Sequence, residues 1–230
     1  MKKCTAFNRE NCHAACQASF CFNTLNTLPA GARPDRLKTG SVVRQYIRLD
    51  KMESFMLRTG VNLYVVNNGL LKTHVTLLDG HEWVQHFFLP GEIIGFDSMH
   101  SAPYQSRVTA IKPSILCEIP FSNMLEAIKE HSGLQEQLLL NISRQMATGY
   151  YVRHLNTEAK LSGFLLEYAQ KVGSVSFRLP LSRTDIGAYL GLTTETVARC
   201  FTRLREQGLI EASGKAVKLL DVHSLKQKTM

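Results

Sequence analysis

A run of caps and stops between Ser182 and Gly208 restricts this 230-residue chain more than any other stretch of it. Ser182 precedes Arg183-Thr184-Asp185. A serine there accepts a backbone N–H, and an acid three residues later complements the positive end of a helix. Ile186, Tyr189 and Leu190 then recur at helical spacing. Gly191 is placed to end that helix, because glycine takes the left-handed conformation at little cost. Leu192 follows as an apolar plug, Thr193 as the cap of a second helix from Thr194 to about Gln207, and Gly208 as its stop. Helix, tight turn and capped helix together predict a helix-turn-helix.

On the second helix Val197, Phe201 and Leu204 share one face and are expected to pack inward. Glu195, Ala198 and Arg199, at i, i+3 and i+4, share another. A reading helix with its first turns in the major groove presents such residues to base edges. Arginine matches guanine O6 and N7, glutamate accepts from cytosine N4, and alanine meets only a thymine methyl. The plainer reading of Glu195 and Arg199 is an ion pair on a solvated helix, worth a few tenths of a kcal/mol. The two readings are compatible, since a glutamate also orients the arginine that reads a base. Ser182, Arg183, Thr193 and Thr194 complete the candidate DNA-binding set. Beyond Gly208, Leu209-Ile210-Glu211, a Ser213-Gly214 turn and Lys215 to Leu220 predict a two-stranded wing, with Lys215 and Lys218 available to phosphates.

Charge agrees with this placement. Residues 151–230 hold 12 Lys and Arg against 7 Asp and Glu, a net +5 of the chain's +8. A basic terminal domain suits a polyanion, although a solvated basic surface has the same composition.

The rest of the chain divides by pattern. Residues 1–40 are a poorly periodic leader rich in cysteine, closing on the loop signals Pro29, Gly31, Pro34 and Gly40. Residues 41–121 alternate short β-favouring runs with turns: Leu63 to Val66, Leu70 to Leu77, an Asp79-Gly80 hairpin signal, Val84 to Leu89, Ile93 to Phe96, Val108 to Ile111 and Ile115 to Ile119. That spacing predicts an antiparallel roll or barrel. Over residues 122–156, Leu134, Leu138, Ile142, Met146 and Gly149 form an apolar stripe on a long helix, read as a dimerisation helix rather than one packed on its own barrel. Residues 157–230 are the winged helix-turn-helix domain. The expected fold class is therefore α+β. No run reaches the ~20 apolar residues of a membrane span, and Asn8 to Asn11 interrupt any apolar signal region. A cytoplasmic protein with no membrane partner is expected.

In that reducing compartment, clustered cysteines point to metal or redox chemistry rather than disulfides. Cys12, Cys16 and Cys21 form a compact group, Cys4 lies upstream, and Cys117 follows Ile115-Leu116. Four thiolates hold either an iron–sulfur cluster or tetrahedral zinc. His13 is a further ligand in the zinc reading. Cys200, on the reading helix, is expected to be a small buried residue. Nothing places a cysteine nucleophile beside His74, His81 or His86, so an enzyme is not expected.

The run Asp185-Ile-Gly-Ala-Tyr-Leu-Gly-Leu-Thr-Thr-Glu-Thr-Val-Ala-Arg199 resembles the winged helix-turn-helix of the catabolite activator and FNR (fumarate and nitrate reductase regulator) superfamily. Gly91-Glu-Ile-Ile-Gly-Phe-Asp97 and Cys117-Glu-Ile-Pro-Phe121 resemble the sensor barrel of its FNR branch. The resemblance covers roughly residues 55–225. It implies a β-roll sensor domain like those that bind cyclic nucleotides, a long dimer helix, and a homodimer on near-palindromic double-stranded DNA. It also implies RNA polymerase as partner, met through loops such as Asp79-Gly80-His81. The resemblance also implies the docking geometry, with the N-terminal turns of the second helix in the major groove. The family's reading motif is Glu-x-x-Ser-Arg, and Ala198 stands where the serine would be.

Members that bind cyclic nucleotides resemble Gly-Glu-Leu followed by Arg-Ser-Ala. Here Gly95-Phe96-Asp97 and Tyr104-Gln105-Ser106 replace both, with Arg107 offset, so a cyclic nucleotide is disfavoured. The FNR branch implies instead an oxygen-labile [4Fe–4S] cluster on Cys12, Cys16, Cys21 and Cys117. The family spaces its leader ligands by two residues and then five. This chain has three and then four, which leaves Cys4 as a substitute for Cys16. The family's dimer helix also carries an acid, whereas this chain has none between Glu136 and Glu158. Zinc, haem or thiol redox is the alternative sensor chemistry.

Overall fold

The computed structural model describes residues 2–3, 45–58, 60–99, 106–130, 132–151 and 156–229. Cys4, Cys12, His13, Cys16 and Cys21 lie outside the described residues, as do Tyr104, Gln105 and the segment 152–155. The chain divides into two compact units, residues 1–75 with 86–145 and residues 76–85 with 146–230. No helix among the described residues is long and apolar enough to cross a membrane.

Apart from Thr76 and residues 82–85, strands β1 (Lys2–Lys3), β2 (Gln45–Leu49), β3 (Ser54–Met56), β4 (Asn62–Thr76), β5 (Glu82–Phe88), β6 (Ile93–Ile94) and β7 (Arg107–Pro120) belong to the first unit. They form one sheet in the order β1-β2-β7-β4-β5, with β3 on β7 and β6 on β4. The recorded registers are antiparallel, Tyr46 facing Cys117 and Val65 facing Cys117 from the other side. Leu63 to Val66 and Leu70 to Leu77, two runs in the sequence, are one strand, as are Val108 to Ile111 and Ile115 to Ile119. The gap in the first pair is a set of register shifts between Val66 and Leu71. Gly69, at φ 109°, sits there with Ser114 so close that a Cβ would lie 2.0 Å from Ser114 Oγ. Ser114 Oγ accepts from the Leu70 N–H at 3.2 Å and donates to the Lys112 carbonyl at 2.7 Å. Pro113, which has no N–H to offer a ladder, falls at the same irregularity.

Successive side chains on β4 and β7 point to opposite faces. One face holds Ile47, Leu49, Phe55, Tyr64, Val66 and Leu116. The other holds Leu63, Val65, Ile93, Cys117 and Ile119, with Met124 of α1 (Phe121–Glu130). β7 ends at Pro120 and α1 starts at Phe121, with no loop between them. α2 (Ser132–Tyr151) follows, so the single long helix expected over 122–156 is two helices in its described part. Leu134 and Leu138, expected on a dimer stripe, instead pack against the Cys117 face. The reason is that this apolar face needs cover and α2 supplies it. Leu139 and Leu140 are left 60% and 42% exposed.

The second unit contains α3 (Thr157–Val172), β8 (Ser176–Arg178), α4 (Arg183–Leu190), α5 (Thr194–Glu206), β9 (Ile210–Ser213), β10 (Ala216–Leu219) and α6 (Val222–Gln227). Asn156 caps α3 by accepting from the Ala159 N–H at 2.9 Å, and Gly173 ends it at φ 69°. Phe164, Leu165 and Tyr168 of α3, together with Ile186, Val197 and Leu204, are buried. Aromatic contacts link Phe164 to Tyr189 and Tyr168 to Phe177. The wing expected as two strands is a three-stranded sheet in the order β8-β10-β9. β8 has only three residues, exposed, half-buried and exposed, too short for its alternation to stand out. The Asp79-Gly80 signal is borne out as a hairpin tip: Gly80 takes φ 82° and the Leu77 N–H donates to the His81 carbonyl at 2.9 Å.

Candidate functional site

The helix-turn-helix forms as its caps predict. Ser182 is the N-cap of α4 in a capping box with Asp185. Its Oγ accepts from the Asp185 N–H at 2.9 Å and lies 2.6 Å from the carboxylate. Gly191 closes α4 at φ 66°, and Lys160 of α3 donates to the Leu190 carbonyl at 3.2 Å, where the helix leaves carbonyls unpaired. Thr193 caps α5 by accepting from the Thr196 N–H at 3.2 Å. Gly187 makes the tight turn fit, since a Cβ on it would lie 2.5 Å from the Leu192 carbonyl oxygen.

α5 is sharply two-faced. Val197, Cys200, Phe201 and Leu204 are buried, so Cys200 is the small buried residue its position suggests. Thr193, Thr194, Glu195, Ala198 and Arg199 are all exposed, side by side on the opposite face. Glu195 is held below the ordinary carboxylate range, first by the backbone N–H at the helix start and the Thr193 hydroxyl, and last by the Arg199 charge. It is therefore an anion beside an arginine, able to orient it. Thr194 Oγ1 donates to Thr184 Oγ1 at 3.4 Å, which joins the first turns of α5 and α4.

Ser182 is exposed, but Arg183 is half-buried, its guanidinium carbon 3.4 Å from the centroid of the Phe201 ring. Burial pulls Arg183 below its ordinary value, although an arginine stays charged in proteins. The sequence shows both residues and not their meeting, because a cation–aromatic stack across 18 positions has no periodic signature. Glu158 is a second such meeting point. Its carboxylate accepts from Lys228 at 3.1 Å and from Arg203 at 3.4 Å, tying α3, α5 and the C-terminal residues together.

The other candidate residue within the described chain is Cys117. It is 1% exposed, among Leu63, Val65, Ile93, Ile119 and Met124, with Tyr46, Phe96 and Phe121 against them. An apolar, water-excluding shell of this kind suits a thiolate-held iron–sulfur group. No group of three or more metal-ligating side chains occurs among the described residues. On the opposite face, buried Glu118 accepts from Asn62 Nδ2 at 2.7 Å and from the Gln45 side-chain amide, clamping β2 and β4 to β7. Phe96 sits in the Cys117 shell, and Ser106 Oγ donates to Asp97 at 3.2 Å. His74 is buried against Thr109 at 2.9 Å, His86 contacts the Phe88 ring, and His81 pairs with Asp79 at the hairpin tip.

Residues 159–228 match the family model described as the Crp-like helix-turn-helix domain, and residues 58–131 match the cyclic nucleotide-binding domain. The chain is 34% identical to Electron transport regulator A of Shewanella oneidensis over 173 residues, 71% of this chain and 69% of that one. It is 34% identical to the transcriptional activator protein FnrA of Stutzerimonas stutzeri over 169 residues, 70% of this chain and 69% of that one. Among solved structures, FixK2 from Bradyrhizobium japonicum shares the fold at a TM-score of 0.69 and 24% identity, over 80% of this chain and 96% of that one. With an exposed face on a capped second helix and relatives of this kind, the chain belongs to the CRP/FNR family, in its FNR branch, and is a helix-turn-helix DNA-binding transcription regulator rather than an enzyme.

Proposed function

We propose that this regulator is a homodimer that reads a near-palindromic DNA site under the control of a [4Fe–4S] cluster, so that DNA binding reports oxygen or redox state. The observation that carries the DNA half is the exposed row of Thr194, Glu195, Ala198 and Arg199 opposite the buried face of α5. Arg199 donates two N–H groups to a guanine, Glu195 orients it or accepts from cytosine N4, and Ala198 faces a thymine methyl. Ser182, Arg183, Thr193 and Thr194 meet the flanking backbone, and half-sites lie about one helical turn apart. Residues 41–121 act as sensor domain, 122–156 as dimerisation segment and 157–230 as DNA-binding domain. The exposed Leu139 and Leu140 of α2 favour pairing of two copies through that helix. The exposed tip at Asp79-Gly80-His81 is the surface offered to RNA polymerase.

Cys117 with Cys12, Cys16 and Cys21 would hold the cluster, which supplies an oxygen-labile, thiolate-ligated iron centre when bound. This chain's own contribution is the apolar shell around Cys117 and the Glu118 clamp that fixes its strand. A cyclic nucleotide is disfavoured, because Phe96 packs into the Cys117 shell and offers nothing to a ribose hydroxyl.

Anaerobic purification followed by visible spectroscopy, iron and acid-labile sulfide analysis, and DNA titration tests the proposal. A brown protein that bleaches in air and loses dimerisation and DNA affinity together is the expected result. A colourless protein holding zinc, or equal affinity with and without the cluster, overturns it.

A further inference from the structure

Arg183 occupies the first position of α4, immediately after the Ser182 cap. Its guanidinium lies over the ring of Phe201, from the buried face of α5. Among the described residues no carboxylate pairs with it, and Asp185 is engaged by Ser182. A guanidinium laid over an aromatic face gives its own face to the ring's negative quadrupole. Its five N–H groups lie in the guanidinium plane, so part of that edge stays available to an anion.

Two further features say which anion. The first helix of a helix-turn-helix crosses the DNA backbone, and its N-terminal N–H groups favour negative charge. The Thr184–Thr194 hydrogen bond also puts the first turn of α4 beside the first turn of α5, where Glu195 begins the reading face. An arginine there is in place for a phosphate flanking the bases being read.

We propose that Phe201 is a positioning residue for DNA binding: its ring holds the Arg183 guanidinium with its N–H edge toward a backbone phosphate. The proposal rests on the DNA interface described above and deepens it. A flexible arginine must lose rotamer freedom when it grips a phosphate, and the ring removes part of that freedom beforehand. Leucine at 201 fills much of the same volume and has no π face. Lysine at 183 keeps the charge and has no planar fork to stack.

The test uses the full-length protein, purified anaerobically, and a duplex enriched by the wild type from a random pool, titrated over a range of KCl concentrations. Arg183→Gln is expected to weaken binding and to lower the salt slope by about one phosphate contact per protomer. Phe201→Leu leaves the charge unchanged and is expected to weaken binding about fivefold. Arg183→Lys is expected to fall by a similar factor. Neither Phe201→Leu on Arg183→Gln nor Phe201→Leu on Arg183→Lys should add a further loss, and thermal unfolding of each variant is followed in parallel.

Full additivity of Phe201→Leu with Arg183→Gln assigns Phe201 to the core alone and overturns the proposal. So does wild-type affinity in Phe201→Leu. Should Phe201→Leu fail to fold, Arg183→Lys decides, and wild-type affinity there overturns the proposal as well. A wild-type protein that enriches no sequence and binds no duplex removes the DNA interface itself, and this inference with it.

Discussion

The roll and the helix-turn-helix each contain a glycine with no room for a methyl group, and the two are hemmed in from different distances. Gly69 of β4 is blocked by Ser114, a side chain on another strand far along the sequence, while Gly187 of α4 is blocked by the Leu192 carbonyl of the turn that follows it. The first unit is therefore assembled by non-local pairing, with irregularities that two strands must share. In the second unit, the helix-turn-helix itself is assembled by caps and turns within a few residues of one another. Function follows the same division. The candidate DNA-reading residues stand exposed on an already rigid helix, whereas Cys117 is enclosed by the packing that makes the sheet.

The largest effect is expected at Gly69. Gly69→Ala forces a Cβ into Ser114 at a positive φ, and both effects cost stability. A loss of about 3–4 kcal/mol is expected in thermal unfolding of the first unit, with the C-terminal unit's own transition unchanged. Gly187→Ala is expected to cost about 2 kcal/mol in the C-terminal unit and to weaken DNA binding, because the turn must open. Equal effects of each variant on both units would remove the distinction. Arg199→Ala is expected to leave unfolding unchanged while weakening binding to the enriched duplex by about 1–3 kcal/mol and relaxing preference at one base pair. A uniform loss across all sequences would make Arg199 a phosphate contact instead.

The smallest effect is a pH dependence. Lys228 first, then Gln207 and Arg203, hold the Glu158 carboxyl below its ordinary range. A carboxyl depressed in the folded state contributes stability above its unfolded value and loses it as pH falls through the folded one. Acidification from about pH 5 toward pH 3 should therefore lower the melting temperature of the C-terminal unit, and Glu158→Gln should flatten that slope by less than about 1 kcal/mol. A slope unchanged in Glu158→Gln assigns it to other carboxylates.

Legibility in the sequence tracks the same contrast. Ser182, Gly191 and Thr193 announce the two helices because each cap acts on neighbours within one turn. The outward row of Glu195, Ala198 and Arg199 follows from helical period alone. The long strands β4 and β7 appear as pairs of shorter runs, since register shifts around Gly69 and a proline at 113 interrupt the alternation. The partners of Leu134 and Leu138 are equally invisible, because an apolar helical stripe has the same pattern whether it meets its own sheet or a second chain. Phe201 looks like core in the sequence, and its stack on Arg183 appears only once α4 and α5 are set against each other.

The direct junction between β7 and α1 has a mechanical consequence for the first unit. A strand that hands over directly to a helix, at Pro120 and Phe121, has no slack segment in which a displacement can die away. Met124 and Phe121 of that helix lean on the same face as Cys117, three residues upstream of the junction. Cys117 and the first turn of α1 are therefore joined twice, through shared packing and through continuous backbone, with no tether between them.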